Sequence, residues 1–181
     1  MARLPYVQDP ADGPSDDLSV LFRDIAALRG SVLHLHRVLA NQPEALRAFM
    51  GMSRYVRDDS ALDPRLRELA VLATAYALDV EYEKFHHRTA ARRAGVSERQ
   101  LASFPDWSAS DAFDATERAV LAYADQVART RQADDATFAE LQSRLSRPEI
   151  VDLTITLGWY HLCAVIIGAL RIEPESGRSD E

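Results

Sequence analysis

The chain of 181 residues holds a single cysteine, Cys163, which excludes an intrachain disulfide framework and fits a reducing cytoplasm. It has no basic run and no basic patch interleaved with aromatics, and its formal net charge is −7, so a general nucleic-acid surface is not expected. No Gly-rich phosphate loop, internal repeat or β alternation is present. The opening MARLPYVQDPADGPSDD lacks an apolar signal core and reads as an extended arm over residues 1–15, so export is not indicated. The uncharged run LAVLATAYAL, Leu69–Leu78, is too short to cross a bilayer. What these absences leave is a cytoplasmic protein, with no membrane contact, whose partners are small molecules or other subunits.

What is present is helix after helix. With 47% hydrophobic residues the chain can bury a substantial core, and its length makes one domain the default, here residues 16–172. Apolar spacing predicts helices over 16–29, 31–40 and 43–57, with Gly30 and Pro43 as punctuation and Ser31 as a candidate N-cap. A central pair over 64–79 and 80–94 follows, then a short helix near 97–103 and the loop FPDWSASDAF. Helices over 114–130, 134–144 and 147–171 complete an all-α fold, and 173–181 reads as a disordered tail.

The central pair carries the chemistry. Asp63-Pro64 is a helix start, because Asp63 can accept the first free N–H groups and Pro64 needs no donor. Glu68 shares a face with Val71, Leu72 and Ala75, so its carboxylate points along the buried side. Desolvation there raises its pKa unless a cation or donor is near. On the second helix Glu83 and His87 stand four apart on one face, the spacing of an oriented acid–base pair, and Gly95 closes the helix. His86 flanks Glu83 on the other side, and Glu83-x-x-His86 is half of a di-iron carboxylate motif with no second copy. A trio of Glu68, Glu83 and His87 offers few ligands for a divalent ion, and no metal is expected. His34 and His36 face apart and read as structural, and Cys163, inside LCAVIIGAL, as a small buried hydrophobe. Arg88 and Arg92, one turn apart beside His87, can clamp a substrate carboxylate, or simply form a solvated face.

Residues 63–95, DPRLRELAVLATAYALDVEYEKFHHRTAARRAG, resemble the carboxymuconolactone decarboxylase and alkylhydroperoxidase D superfamily. The resemblance extends to RLPYVQDP, RGSVLHLHRVLANQPEALRAFMGM and EIVDLTITLGWYHLCAVIIGAL. It implies an alkylhydroperoxidase D-like helical bundle and homo-oligomers, as dimer, trimer or hexamer. In the hydroperoxidase members a glutamate precedes Cys-x-x-Cys-x-x-x-His. Those positions fall here on Glu68, Val80, Glu83 and His87, so both thiols are absent.

Thiol peroxidase chemistry needs a thiolate and a resolving thiol, which disfavours an antioxidant role. The EYE-x-x-HH form is similar to the decarboxylase branch. That likeness implies a cofactor-free lyase acting on a lactone or unsaturated carboxylic acid, with His87 as proton donor and Glu68 or Glu83 setting its protonation. Arg88 or Arg92 would hold the acid, and Tyr82 and His86 are further candidate substrate contacts. The resemblance also places Tyr160 and His161, in GWYHLC, on the active-site wall. A binding or assembly protein that keeps the cluster as a satisfied polar network is the other reading.

Overall fold

The computed structural model describes residues 1–8 and 17–175. The remainder of the expected arm and most of the expected tail lie outside the described residues. Among those described, all regular structure is helical and no strand occurs. The helices are α1 (Asp17–Arg29), α2 (His34–Leu39), α3 (Pro43–Arg54), α4 (Pro64–Ala77), α5 (Glu81–Arg93), α6 (Glu98–Ser103), α7 (Ala115–Thr130), α8 (Asp135–Gln142) and α9 (Arg147–Leu170). The chain divides into two compact units, Met1–Tyr55 with Ile166–Glu181, and Val56–Val165.

In the first unit α1 buries Phe22 and Ile25, and α2 and α3 bury Leu35, Val38, Leu46 and Phe49. α2 starts at His34 rather than at Ser31, with Leu33 in extended backbone before it. Nδ1 of the buried His36, at the third helical position, accepts from the Leu33 N–H, the role a glutamate or glutamine takes in a capping box. The His34 ring stacks on Tyr6 at 4.2 Å, and its Nδ1 lies 2.9 Å from the Glu173 carbonyl. Both histidines therefore serve structure.

The second unit is built around α4. Asp63 caps it by accepting from the Arg65 and Leu66 N–H groups, as the Asp-Pro start predicts. Leu69, Ala70, Leu72 and Ala73 are almost fully buried in one cluster with Val120, Leu121 and Ala124 of α7 and Leu153 and Leu157 of α9. Small residues on facing helices let the backbones approach closely, so an all-apolar α4 can be covered on every side. A second buried polar group ties α4 to α6 and α7, where Glu117 accepts from Arg65 and from Gln100. α9 is long and apolar enough to cross a membrane by length and composition alone. Here Leu153, Leu157, Trp159, Tyr160 and Cys163 are buried in the fold, while Val151, Leu162 and Val165 are exposed.

Two segments differ from the sequence reading. The helix expected to run to residue 57 changes after Arg54 into a π-helical turn, Tyr55–Asp59. Such a turn re-aims side chains without ending the rod, a device frequent at functional sites. The loop expected at FPDWSASDAF begins with a 3-10 turn, Phe104–Ala109. Phe104 anchors it by stacking on Tyr76 at 5.5 Å and meeting Phe113 edge-on at 5.9 Å.

α5 ends as expected, with Gly95 in the left-handed region at φ +88° and no atom within 4 Å of an added Cβ. A Gly95→Ala change should therefore cost about 1–2 kcal/mol from backbone strain alone. Gly158→Ala, helical with equally open space, should be neutral or stabilising by up to about 1 kcal/mol. Paired urea melts of the two variants check the contrast, and equal shifts would contradict it.

Candidate active site

α4 and α5 are joined by a short turn in which Asp79 takes φ +54°. The turn folds α5 back so that its His87 faces Glu68 of α4. Nδ1 of His87 lies 2.6 Å from Glu68 Oε2, and Nε2 lies 3.2 Å from Glu83 Oε2, one helical turn earlier on α5. All three side chains are buried, with His87 at 2% exposure. A Tyr160 ring from α9 closes the assembly edge-on to the imidazole at 4.9 Å.

A ring with a carboxylate at each nitrogen is best satisfied as an imidazolium that donates twice. Burial pushes the His87 pKa down, but Glu68 and then Glu83 outweigh it, and the net direction is up. Burial likewise pushes Glu68 up, and His87, Arg57 and Arg67 overturn that to hold it at about 2. The desolvation rise expected from sequence is thus reversed by the cations around it. Arg67 donates from Nε to Glu68 Oε1 at 3.3 Å and from Nη1 to the Arg57 carbonyl at 2.8 Å, pinning the π-helical turn to α4.

Beside the cluster is a narrow crevice enclosing about 170 Å³ of space between atoms. Val71, Thr74, Ala75, Leu78, Val80 and Ala164 form its largely apolar walls, and Glu83 and Tyr160 supply its polar groups. Glu83 and Tyr160, which both touch the His87 ring, connect it to this crevice.

The structure brings Glu68, Glu83, His87 and Tyr160 together and sends the other candidates elsewhere. Arg88 is directed to the Tyr76 hydroxyl at 3.2 Å and the Leu101 carbonyl at 3.4 Å, and Arg92 pairs with Glu98 at 2.6 Å. Neither arginine clamps a ligand at His87, because their positions on α5 turn them toward α6. Tyr82 is buried against the His86 ring at 4.5 Å. His161 faces the Leu157 and Ala128 carbonyls at 2.8 and 3.2 Å, within the α7–α9 packing. The cations of the site are instead Arg57 and Arg67. Arg57 carries no periodic signal in YVRDD, and Arg67 adjoins Glu68 at the edge of the apolar run, where a cation was a foreseeable partner.

The thiol positions of the hydroperoxidase pattern are occupied by Val80 and Glu83, both on the crevice wall. Cys163 is buried, and that burial pushes its thiol up, away from the reactive thiolate. Among the described residues no group of three or more His, Cys, Asp or Glu side chains is arranged to hold a metal ion.

Residues 43–126 match the Carboxymuconolactone decarboxylase family. A comparison with curated proteins gave no match. Among solved structures, an alkylhydroperoxidase AhpD core described as an uncharacterized peroxidase-related protein from Ralstonia eutropha JMP134 superimposes with TM-score 0.83 and 20% identity, over 97% of this chain and 93% of its own. A putative antioxidant defence protein AhpD from Agrobacterium tumefaciens gives TM-score 0.71 and 26% identity, over 76% and 94%. A cysteine-to-alanine variant of the debrominase Bmp8, in complex with 2,3,4-tribromopyrrole, gives TM-score 0.81 and 18% identity, over 97% and 95%.

The depressed Glu68 pKa has a direct consequence for stability. With a folded value of about 2 against an ordinary 4.5, Glu68 stabilises the fold fully above pH 4.5 and loses that contribution as pH falls toward 2. The contribution is on the order of 3 kcal/mol. His87 has the opposite sign, contributing fully below its ordinary 6.5 and losing it as pH rises through its raised value. Thermal melts should show wild type losing stability between pH 5 and pH 2.5 more steeply than Glu68→Gln. Parallel curves over that window would contradict the assignment.

Proposed function

We propose that the chain, whose residues 43–126 match the Carboxymuconolactone decarboxylase family, is a lyase of small organic acids working by general acid–base catalysis. The observation that carries this reading is the buried imidazole held between two carboxylates, one of which lines an apolar crevice. An apolar wall favours a step that removes charge from an acid, and a positioned proton source completes it.

In the proposed step the substrate carboxylate leaves as carbon dioxide, and the electrons of the broken carbon–carbon bond remain as a dienolate. A proton from His87, passed through Glu83 at the crevice wall, then ends on carbon. Glu68 holds the ring orientation, and His87 takes back a proton from water before the next turnover, since each decarboxylation consumes one. Unsaturated or lactone acids suit the site because conjugation lets the departing charge delocalise, and the reaction requires no cofactor. The Bmp8 complex with a brominated pyrrole is in keeping with a fold that admits small planar rings.

Peroxidase chemistry of the thiol kind is disfavoured even though several similar structures carry peroxidase-related names. Val80 and Glu83 can supply neither the attacking nor the resolving sulfur, and Cys163 is buried.

Carbon dioxide release from γ-carboxymuconolactone and a panel of lactone and β-keto acids tests the proposal. Wild type should release it with or without chelator, and His87→Ala should lose roughly 100-fold or more, as expected for removal of a general acid. Release that survives His87→Ala unchanged would sink the mechanism, and no release from any acid would sink the decarboxylase reading.

A further inference from the structure

Tyr160 is 4% exposed, and its hydroxyl has one recorded partner, the Arg57 guanidinium, which donates from Nη2 at 3.4 Å. A phenol that accepts from an arginine keeps its own proton to give. Among the described residues no acceptor for that proton is found. A buried donor without an acceptor costs about 1–3 kcal/mol, so such a group is held for something that arrives. Tyr160 also lines the crevice, facing the same space as Glu83.

Arg57 shows the same incompleteness. Besides Tyr160 its recorded side-chain neighbour is His87, with Nη2 at 3.4 Å from Nε2. When the ring is an imidazolium this is an approach of two donors rather than a hydrogen bond. Glu68 is engaged by His87 and Arg67, and Glu83 gives one oxygen to His87, so both carboxylates act on Arg57 through space rather than by a direct bond. When His87 is an imidazolium, the two carboxylates face three cations, and an anion beside Arg57 balances them.

We propose that Tyr160 and Arg57 form the anion subsite of the crevice: the Tyr160 hydroxyl donates to a ligand oxygen while Arg57, behind it, polarises the phenol and balances the charge. The ligand class is a carboxylate with a small apolar body, the carboxylate at Tyr160 and the body against Val71, Ala75, Leu78 and Val80. A neutral amide gives up the charge-assisted bond. Tyr160 is thus a binding residue and Arg57 a positioning residue. Burial raises the Tyr160 pKa against the lowering effect of Arg57, which keeps the phenol a donor throughout the neutral range.

This assignment rests on the acid–base site proposed above, but it is tested by binding and not by turnover. Calorimetric titration of the full chain with crotonate and benzoate, each against its neutral amide, reads the subsite directly. Wild type should prefer the carboxylate at least about tenfold, as a hydrogen bond to a charged group predicts. Tyr160→Phe keeps the ring against His87 and should lose about tenfold of that preference. Arg57→Gln should abolish the preference, and Arg88→Gln should leave it intact. Equal binding of acid and amide by wild type, or an undiminished preference in Tyr160→Phe, overturns the proposal. If Arg57→Gln melts early, Tyr160→Phe alone decides. Retained carboxylate preference in a protein that releases no carbon dioxide would support the subsite while refuting the decarboxylase.

Discussion

The second unit depends on one buried ion pair, Glu68 with His87, which joins α4 to α5 at 2.6 Å with both side chains out of water. Breaking such a pair leaves an uncompensated buried charge, which typically costs about 3–5 kcal/mol, whereas a well-packed apolar replacement is often tolerated. A charged pair is therefore a costly way to hold two helices together. Its place beside the uncharged run of α4 that begins at Leu69 is understandable if the ring has to be charged and fixed in orientation. Every other polar contact of the cluster follows from it: Glu83 satisfies the second ring nitrogen, and Arg67 satisfies the second oxygen of Glu68.

Much of this was legible in the sequence. Asp63-Pro64, the uncharged run from Leu69 and the Gly95 terminator bound the central helices to within a few residues, because capping and left-handed backbone are local physics. The four-residue spacing of Glu83 and His87 put them on one face for the same reason, and the burial of Glu68 followed from its neighbours at helical period. What failed was direction. Arg88 adjoins His87 and Arg92 lies one helical turn beyond Arg88, yet the helical period turns them about 100° and about 140° from the ring, and both engage the α6 side. Arg57 comes from a π-helical turn more than one helix earlier, and no local pattern announces such a turn. The cation of the site was thus a tertiary fact, whereas the acid–base pair was a secondary-structural one. The likeness to the superfamily came from the motif as a whole, and the two missing thiols from its individual positions.

The occupants of the thiol positions change what the α5 face can do. A valine and a glutamate at Val80 and Glu83 leave a wall that is apolar at one end and carries a carboxyl group at the other. Neither side chain can take part in thiol–disulfide chemistry.

The burial of the ring has a kinetic meaning. His87 is 2% exposed and is enclosed by Glu68, Glu83 and Tyr160. Its nitrogens trade protons with bulk water through openings of that packing, so exchange is limited by how often the packing loosens. The charge on the ring therefore lags behind a rapid change of bulk pH, although at equilibrium it follows it.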